Sequence, residues 1–308
     1  MRSRLGLLLV VLASAPAGCS GGGPSAVSTT PAAHGPGRGR PPLVMGSQNF
    51  TEQRLLGQLY AQALRARGFA VRLRQDVSDG AAADRALVDG QIDGYPEYIG
   101  AILTGAAHAR RAPTSLGAAY GAVRAFEAPR GLVALSPTPF AGADGFAVTA
   151  AYARVHRLRS IAGLARVGPF SVGAAPDFDV RPSGLPAVRR AYGIAAVRFV
   201  PLSLGAQYAA LAGGRVQVAV VGTTDPRLRS ARYAVLPDPR GAFGVQNVVP
   251  VFARAVIAAE GPAFTRALDA VSARLTIRAM RRMNAAVELD KRDPAVVAHD
   301  FLASARLS

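Results

Sequence analysis

One pattern, present twice, constrains the fold of this chain more than any other: a helix-length apolar segment, a glycine stop, then a short strand-like run. Arg85-Ala-Leu-Val-Asp-Gly-Gln-Ile-Asp93 carries it, and Gln207-Tyr-Ala-Ala-Leu-Ala-Gly-Gly-Arg-Val-Gln-Val-Ala-Val220 carries it again about 120 residues later. Around the first copy, Leu43-Val-Met45 reads as a strand. Leu55, Leu56, Leu59, Ala63 and Leu64 then form one helical face, capped by Asn49 or Thr51 and stopped by Gly68. Phe69–Leu73 alternates like a strand, Ala81–Val88 is helical, and a third strand opens at Ile92. Around the second copy the order is a strand over Arg166–Gly173, a helix over Leu185–Tyr192 and a strand over Val197–Val200. A β-α-β-α-β rhythm predicts a parallel sheet with ligands at the carboxyl ends of its strands. Two such units predict an α/β protein of two lobes with a cleft between them. The helical stretch Phe264–Leu302 is expected to pack back on the first lobe.

The first forty residues have a different character. Arg2 and Arg4 precede Leu5-Gly-Leu-Leu-Leu-Val-Val-Leu-Ala13, an apolar run too short to span a bilayer, which reads as a signal peptide over residues 1–18. Ala15-Pro-Ala-Gly-Cys19 resembles the lipobox of bacterial lipoproteins, with Pro16 where that motif usually has leucine. The resemblance implies lipidation of Cys19 and a protein held on the outer face of the cytoplasmic membrane; a chain cut by a simple peptidase would instead be secreted or periplasmic. Residues 19–41 are rich in Gly, Pro, Ser and Thr and read as a flexible tether. The folded body then divides into a first lobe over 42–139, a second over 140–247, and a return to the first over 248–308.

Charge excludes more than it suggests. The chain of 308 residues has a formal charge of +17, and Lys291 is its only lysine. That lysine sits in Asp-Lys-Arg-Asp, so there is no phosphate-binding Gly-Lys-Ser/Thr loop. The arginines are scattered rather than striped, which fits a compositional bias better than a nucleic-acid footprint. Arg2, Arg4, Arg38 and Arg40 are the only charged residues before Pro42, so most of the positive balance belongs to the folded body. With a single cysteine, neither an intrachain disulfide nor a cysteine zinc site is available. His34, His108, His156 and His299 are far apart, and neither a Gly-x-Ser-x-Gly elbow nor a His-Glu-x-x-His pair occurs. No enzyme, metal or cofactor is expected.

Two segments carry a specific likeness: Gly46-Ser-Gln-Asn-Phe-Thr-Glu-Gln53 and Asp93-Gly-Tyr-Pro-Glu-Tyr98-Ile-Gly100. They resemble the glycine betaine/choline/carnitine-binding proteins of ABC importers. The likeness continues through Gly131-Leu-Val, Pro137-Thr-Pro-Phe140, Ala175-Pro-Asp-Phe178, Arg181-Pro-Ser-Gly-Leu185, Ala191-Tyr-Gly193, Pro250-Val and Asp293-Pro-Ala-Val-Val-Ala. It implies a two-lobed periplasmic-binding-protein fold, type II-like, that closes on its ligand by a hinge motion. It also implies a monomer that delivers a quaternary-ammonium solute to a permease with a separate ATPase subunit. A quaternary ammonium has no N–H to donate, so tyrosine faces are its fitting receptor, through cation–π attraction of about 0.5–2 kcal/mol per ring.

Carried over by residue, the resemblance places Tyr98 and Tyr208 in an aromatic cage, Arg181 on the ligand carboxylate and Gln48 at the ligand's polar end. Asp144 stands where a third tyrosine is expected, Gln246 where a fourth is, and Ala101 where a threonine often helps with the carboxylate. Asp144 is suited to balancing a ligand cation, and Gln246 to hydrogen-bonding N–H or hydroxyl groups. Without the resemblance, Tyr95 and Tyr98 read as core or rim aromatics, and Glu97 as a structural hydrogen-bonding carboxylate. The leading expectation is an extracytoplasmic receptor for a quaternary-ammonium compatible solute. Its rivals are the same fold binding another polar cation or zwitterion, and a basic surface protein binding anionic polymer.

Overall fold

The computed structural model describes residues 30–109, 112–203 and 205–308. The signal peptide expected over 1–18 and the candidate lipidation site Cys19 lie outside them.

The first sheet is built from β1 (Leu43–Gln48), β2 (Val71–Val77), β3 (Gly94–Tyr98), β4 (Leu132–Ala134) and β10 (Val248–Ala253), in the order β2-β1-β3-β10-β4. The second contains β5 (Asp144–Thr149), β6 (Phe170–Ala174), β7 (Val197–Pro201), β8 (Val218–Gly222) and β9 (Tyr233–Leu236), in the order β7-β6-β8-β5-β9. The expected parallel sheets are in fact mixed. β1 runs parallel to β2 and β3, and β6 parallel to β7 and β8, but β10 is antiparallel to β3 and β5 antiparallel to β8. The reason is where the chain crosses between lobes. β5 begins opposite the end of β8 (Asp144 pairs with Gly222), and β10 begins opposite the end of β3 (Val248 pairs with Tyr98). A strand that enters a sheet from its carboxyl edge must run against the parallel strands already there. Both crossings therefore lie at the carboxyl ends, where a ligand crevice is expected.

Helix α1 (Thr51–Arg65) buries the predicted apolar face completely, with Leu55, Leu56, Leu59, Ala63 and Leu64 inaccessible to water. Its cap differs from expectation: Phe50 is the capping residue and no side chain caps the first turn. Gly68 takes the left-handed conformation as expected (φ +85°). α2 (Gly80–Val88) follows the capping carboxylate of Asp79, which accepts from the Ala82 amide. A single turn, α3 (Ile99–Ala101), follows β3, and α4 (Leu116–Glu127) covers the second core of the first lobe. In the second lobe α5 (Ala150–Val155), α6 (Leu185–Tyr192) and α7 (Gln207–Ala212) flank the sheet. Three strand starts differ from the sequence reading. Phe69 and Ala70 precede β2, Ile92 and Asp93 precede β3, and Arg166 closes a 3-10 turn four residues before β6. Ala70 and Asp93 still bond neighbouring strands, the Leu43 amide donating to the Ala70 carbonyl at 2.9 Å and the Asp93 amide to the Val44 carbonyl at 2.7 Å, while Phe69 and Ile92 are buried in the core.

The C-terminal helices α8 (Arg254–Glu260), α9 (Pro262–Arg274), α10 (Ile277–Glu288) and α11 (Pro294–Ser304) return to the first lobe. Phe264, Leu268, Met280, Met283, Val297 and Leu302 share one core with the buried face of α1. The Tyr60 hydroxyl and Ser272 Oγ, 2.9 Å apart, satisfy each other inside it.

The tether expected over 19–41 is in part a docked segment. The amides of Ala32 and Gly37 donate to the carbonyls of Arg65 and Arg67 at 2.8 and 2.9 Å, and Arg40 Nη1 donates to the Ala259 carbonyl at 2.7 Å. The fit demands glycine, because a Cβ at residue 37 would lie 2.4 Å from the Phe69 ring and backbone.

Candidate functional site

The two crossings form a short two-stranded hinge. Ala141 and Asn247 make an isolated antiparallel bridge, and the Gly142 amide donates to the Gln246 carbonyl at 3.0 Å. Thr138 braces it: its Oγ1 accepts from the Val248 amide at 3.0 Å and its carbonyl accepts from Asn247 Nδ2 at 2.8 Å. Helix α10 adds a third fastening, with Arg281 Nε donating to the Thr223 carbonyl at 2.7 Å and Asn284 Nδ2 to the Thr224 carbonyl at 3.1 Å.

Beside this hinge lies a cavity of about 420 Å³, of a size for a small solute. Its wall draws on both lobes. Phe50, Thr51, Glu52 and Tyr98 come from the first; Gly142, Gly222, Thr224, Asp225 and Pro226 come from the hinge and second lobe; Asn284 and Glu288 come from α10. Phe50 and Tyr98 stack with ring centroids 6.4 Å apart and planes 16° from parallel. The Tyr98 hydroxyl donates to Glu52 Oε1 at 2.7 Å, and Asn284 Nδ2 donates to Glu52 Oε2 at 2.9 Å. Burial, then the adjacent Glu52 charge, hold the Tyr98 phenol well above its usual range, so it remains a donor. The Glu288 carboxyl is also raised, by burial first and then by Asp225, with Thr51 pulling it back by a hydrogen bond.

Of the residues singled out in the sequence, Tyr98 lines this cavity; Gln48, Asp144, Arg181, Tyr208 and Gln246 are not among its lining residues. Gln48 Nε2 donates to Glu97 Oε2 at 3.0 Å, and Glu97 Oε1 accepts from the Tyr98 amide at 2.7 Å, so both support the tyrosine from beneath. Glu97 is thus the structural hydrogen-bonding carboxylate expected of it. Asp144 pairs in register with the lining residue Gly222. Its carboxylate is taken by Arg181, which also lies 3.8 Å from Asp177, so the expected carboxylate-gripping arginine already has acidic partners. Burial raises the Asp144 carboxyl even though the Arg181 guanidinium pulls it down. Gln246 bonds the lining Gly142 through its backbone, and its side chain lies over Gly100. Tyr208 sits behind Asp225: Tyr233 meets its ring edge-on at 5.0 Å and the Arg227 guanidinium is 5.3 Å from its centroid. Burial first, then the Asp225 charge, raise the Tyr208 phenol.

The sequence reading missed the wall residues Phe50, Glu52, Thr224, Asp225, Asn284 and Glu288. Phe50 and Glu52 lie inside the motif Gly46–Gln53, where the strand-to-helix junction turns both toward the cleft. Asn284 had a fainter signal, a polar residue on the Met280/Met283 apolar face of α10. Among the described residues no cluster of His, Cys, Asp and Glu is arranged to hold a metal ion, and no helix is long and apolar enough to cross a membrane.

Comparison with known proteins identifies the family. Residues 41–304 match the OpuAC family, described as the substrate binding domain of ABC-type glycine betaine transport systems. A glycine-betaine-binding protein of Pseudomonas aeruginosa is 31% identical over 272 residues, covering 84% of this chain and 86% of that protein. The glycine betaine-binding protein YehZ of Escherichia coli K12 is 27% identical over 277 residues, covering 85% of this chain and 90% of YehZ. The structure of apo YehZ aligns with a TM-score of 0.76 at 25% identity, over 87% of this chain and 99% of that one.

Proposed function

The chain belongs to the family of substrate-binding domains of ABC-type glycine betaine transport systems, extracytoplasmic receptors that work with a permease, and from that premise we propose that it captures a quaternary-ammonium compatible solute in the cavity beside its hinge. The observation that carries this reading is the Tyr98 ring, stacked on Phe50 and backed by the Glu52 carboxylate, at a wall shared by both lobes. An aromatic face with an anion behind it attracts a cation that has no N–H to donate. Closure of the second lobe would bring Gly222, Thr224 and Asp225 over the bound solute and shield it from water. Gln48 acts through Glu97 to hold Tyr98. Asp144, Arg181, Tyr208 and Gln246 hold the second-lobe and hinge side of the wall. Cys19 is the proposed lipid attachment point, and the receptor acts as a monomer that presents the closed complex to the permease.

Titration calorimetry of the full-length chain with glycine betaine, choline, carnitine and proline tests the reading. Saturable binding of a quaternary ammonium solute is expected, weakened about tenfold by Tyr98→Ala, in keeping with one cation–π contact. Tight binding that survives Tyr98→Ala would remove the aromatic face from the mechanism.

A further inference from the structure

The second lobe has a recess of its own, at the end of its sheet away from the hinge. Strand β5 starts at Asp144 beside the hinge and ends at Thr149, about 17 Å further on, where α5 begins. A cavity of about 460 Å³ lies there, walled by Thr149, Arg154, Arg232, Tyr233 and four alanines. It shares no lining residue with the solute cavity.

The fold fixes both arginines at this rim. Arg154 is in the last turn of α5, and Arg232 immediately precedes the edge strand β9, whose Tyr233 pairs with Thr149. The Ala150 amide donates to the Arg232 carbonyl at 2.8 Å, which ties the start of α5 to that strand. Both arginines are exposed, and neither guanidinium has a hydrogen-bond or ion-pair partner among the described residues. Other arginines of this lobe are paired: Arg181 faces Asp144 and Asp177, and Arg227 faces Asp225. Asp238 is taken by the Tyr192 hydroxyl and the Phe243 amide. Residues 140–247 contain thirteen arginines and five acids. No acid occurs between Asp144 and Asp177 or between Asp225 and Asp238, the stretches that supply Arg154 and Arg232, so the chain offers them no local counter-charge.

Thr149 adds a neutral donor. Its Oγ1 accepts from the Tyr152 amide at 3.1 Å, which leaves its O–H to donate elsewhere. The Tyr233 hydroxyl is already committed, to the Tyr208 carbonyl at 3.4 Å. Two guanidinium forks and a hydroxyl around one hollow call for a compact anion with several acceptors. A carboxylate has two oxygens and satisfies one fork. A phosphate spreads its oxygens around a tetrahedron and can serve both forks and the hydroxyl together.

We propose that this cavity is a separate binding site for a phosphate group, held between Arg154 and Arg232 with Thr149 as a further donor. The site is independent of the solute cavity and of what that cavity binds. Free inorganic phosphate and the phosphodiester head group of an anionic lipid offer the same chemistry.

The test is calorimetric titration of the full-length chain at constant ionic strength with inorganic phosphate, with glycerophosphoglycerol (the soluble head group of phosphatidylglycerol) and with acetate. Saturable binding of at least one of the two phosphates is expected, at least about tenfold tighter than acetate. Tighter inorganic phosphate identifies a free anion as the occupant, and tighter glycerophosphoglycerol identifies a lipid head group. Arg154→Gln with Arg232→Gln is expected to weaken that binding at least about tenfold. Arg189→Gln with Arg190→Gln removes the same charge from exposed positions on α6 and is expected to change it less than about twofold. Should the first pair fail to fold, judged by its melting curve, Arg154→Lys with Arg232→Lys keeps the charge, loses the forks and is expected to weaken binding about threefold. Equal losses from the two glutamine pairs reduce the site to general positive charge and overturn it. Acetate binding as tightly as the phosphates overturns the phosphate class, and no saturable binding of any of the three overturns the site. None of these outcomes bears on solute binding beside the hinge.

Discussion

Glu97 lies under the ligand wall, accepting hydrogen bonds from Gln48 and the Tyr98 amide while burial pushes its carboxyl up to about 7. A carboxyl raised in the folded state binds its proton more tightly there than in the unfolded chain. Its contribution is therefore complete below the ordinary carboxylate range and is lost as the pH climbs from about 4.5 through about 7. Glu127, also raised to about 7 by burial despite its Arg130 partner, acts in the same direction. Denaturant unfolding at pH 5 and pH 8 is expected to find the native chain more stable at the lower pH in so far as these groups decide. Glu97→Gln is expected to flatten that difference by on the order of 2 kcal/mol. Single residues were legible in the sequence where a short local motif carried them, as with Tyr98 in Tyr-Pro-Glu-Tyr. Partnerships across the fold were not. Arg181 and Asp144 are 37 positions apart and were each expected to face the ligand, whereas in the fold they face one another. Asn284 reaches Glu52 across 232 positions, a contact that no local pattern encodes.

Elements were read more accurately where side-chain periodicity alone defines them. The helix Leu185–Tyr192 was located to the residue, ending at Gly193 in the left-handed conformation. Strand starts matched at Leu43 and Val197 but were displaced by two to four residues elsewhere, because pairing with a neighbour bounds a strand and the neighbour is unknown from local sequence. Direction escaped for a similar reason: β5 and β10 have unremarkable strand composition, and their reversal follows from the crossing between lobes. α11 offers a clean test at this scale. Its Asp293 caps the first turn, accepting from the Ala295 amide at 2.6 Å, with Pro294 at the first helical position. Through Val297, Ala298 and Leu302, α11 seals the core against α1. Asp293→Ala is expected to lower unfolding stability by about 1 kcal/mol without altering solute affinity, since Asp293 is not among the residues lining the cavity. Urea denaturation and titration calorimetry on the same variant separate the two quantities.

On the scale of the whole molecule, the two lobes meet at a point crowded enough to couple hinge and ligand wall. A Cβ added at Gly142 would lie 2.7 Å from both Glu52 Oε1 and Tyr98 Cε1. Overpacking of that kind costs about 1–3 kcal/mol and here would fall on two groups proposed to receive the solute. Gly142→Ala is expected to weaken solute binding about tenfold or more and to change the ligand-induced compaction seen by small-angle scattering. Unchanged affinity would show that the hinge and the wall move independently. The +17 charge has no counterpart in the solute cavity, whose wall is acidic, so the reading of most of the arginines as compositional bias rather than as an anion-binding footprint is consistent with where the acids are.

The docked N-terminal segment has a mechanical consequence. Residues 32–37 bind at the carboxyl end of α1, while the amino end of the same helix supplies Thr51 and Glu52 to the cavity. A helix of 15 residues holds these two places about 22 Å apart. With Cys19 as the proposed anchor, about 13 residues of chain precede the docking point, a leash of at most about 45 Å. The receptor would then be held by the back of its first lobe, with its mouth directed away from the point of attachment. A receptor anchored in this way would meet its permease by lateral diffusion in the plane of the membrane rather than by search through three dimensions.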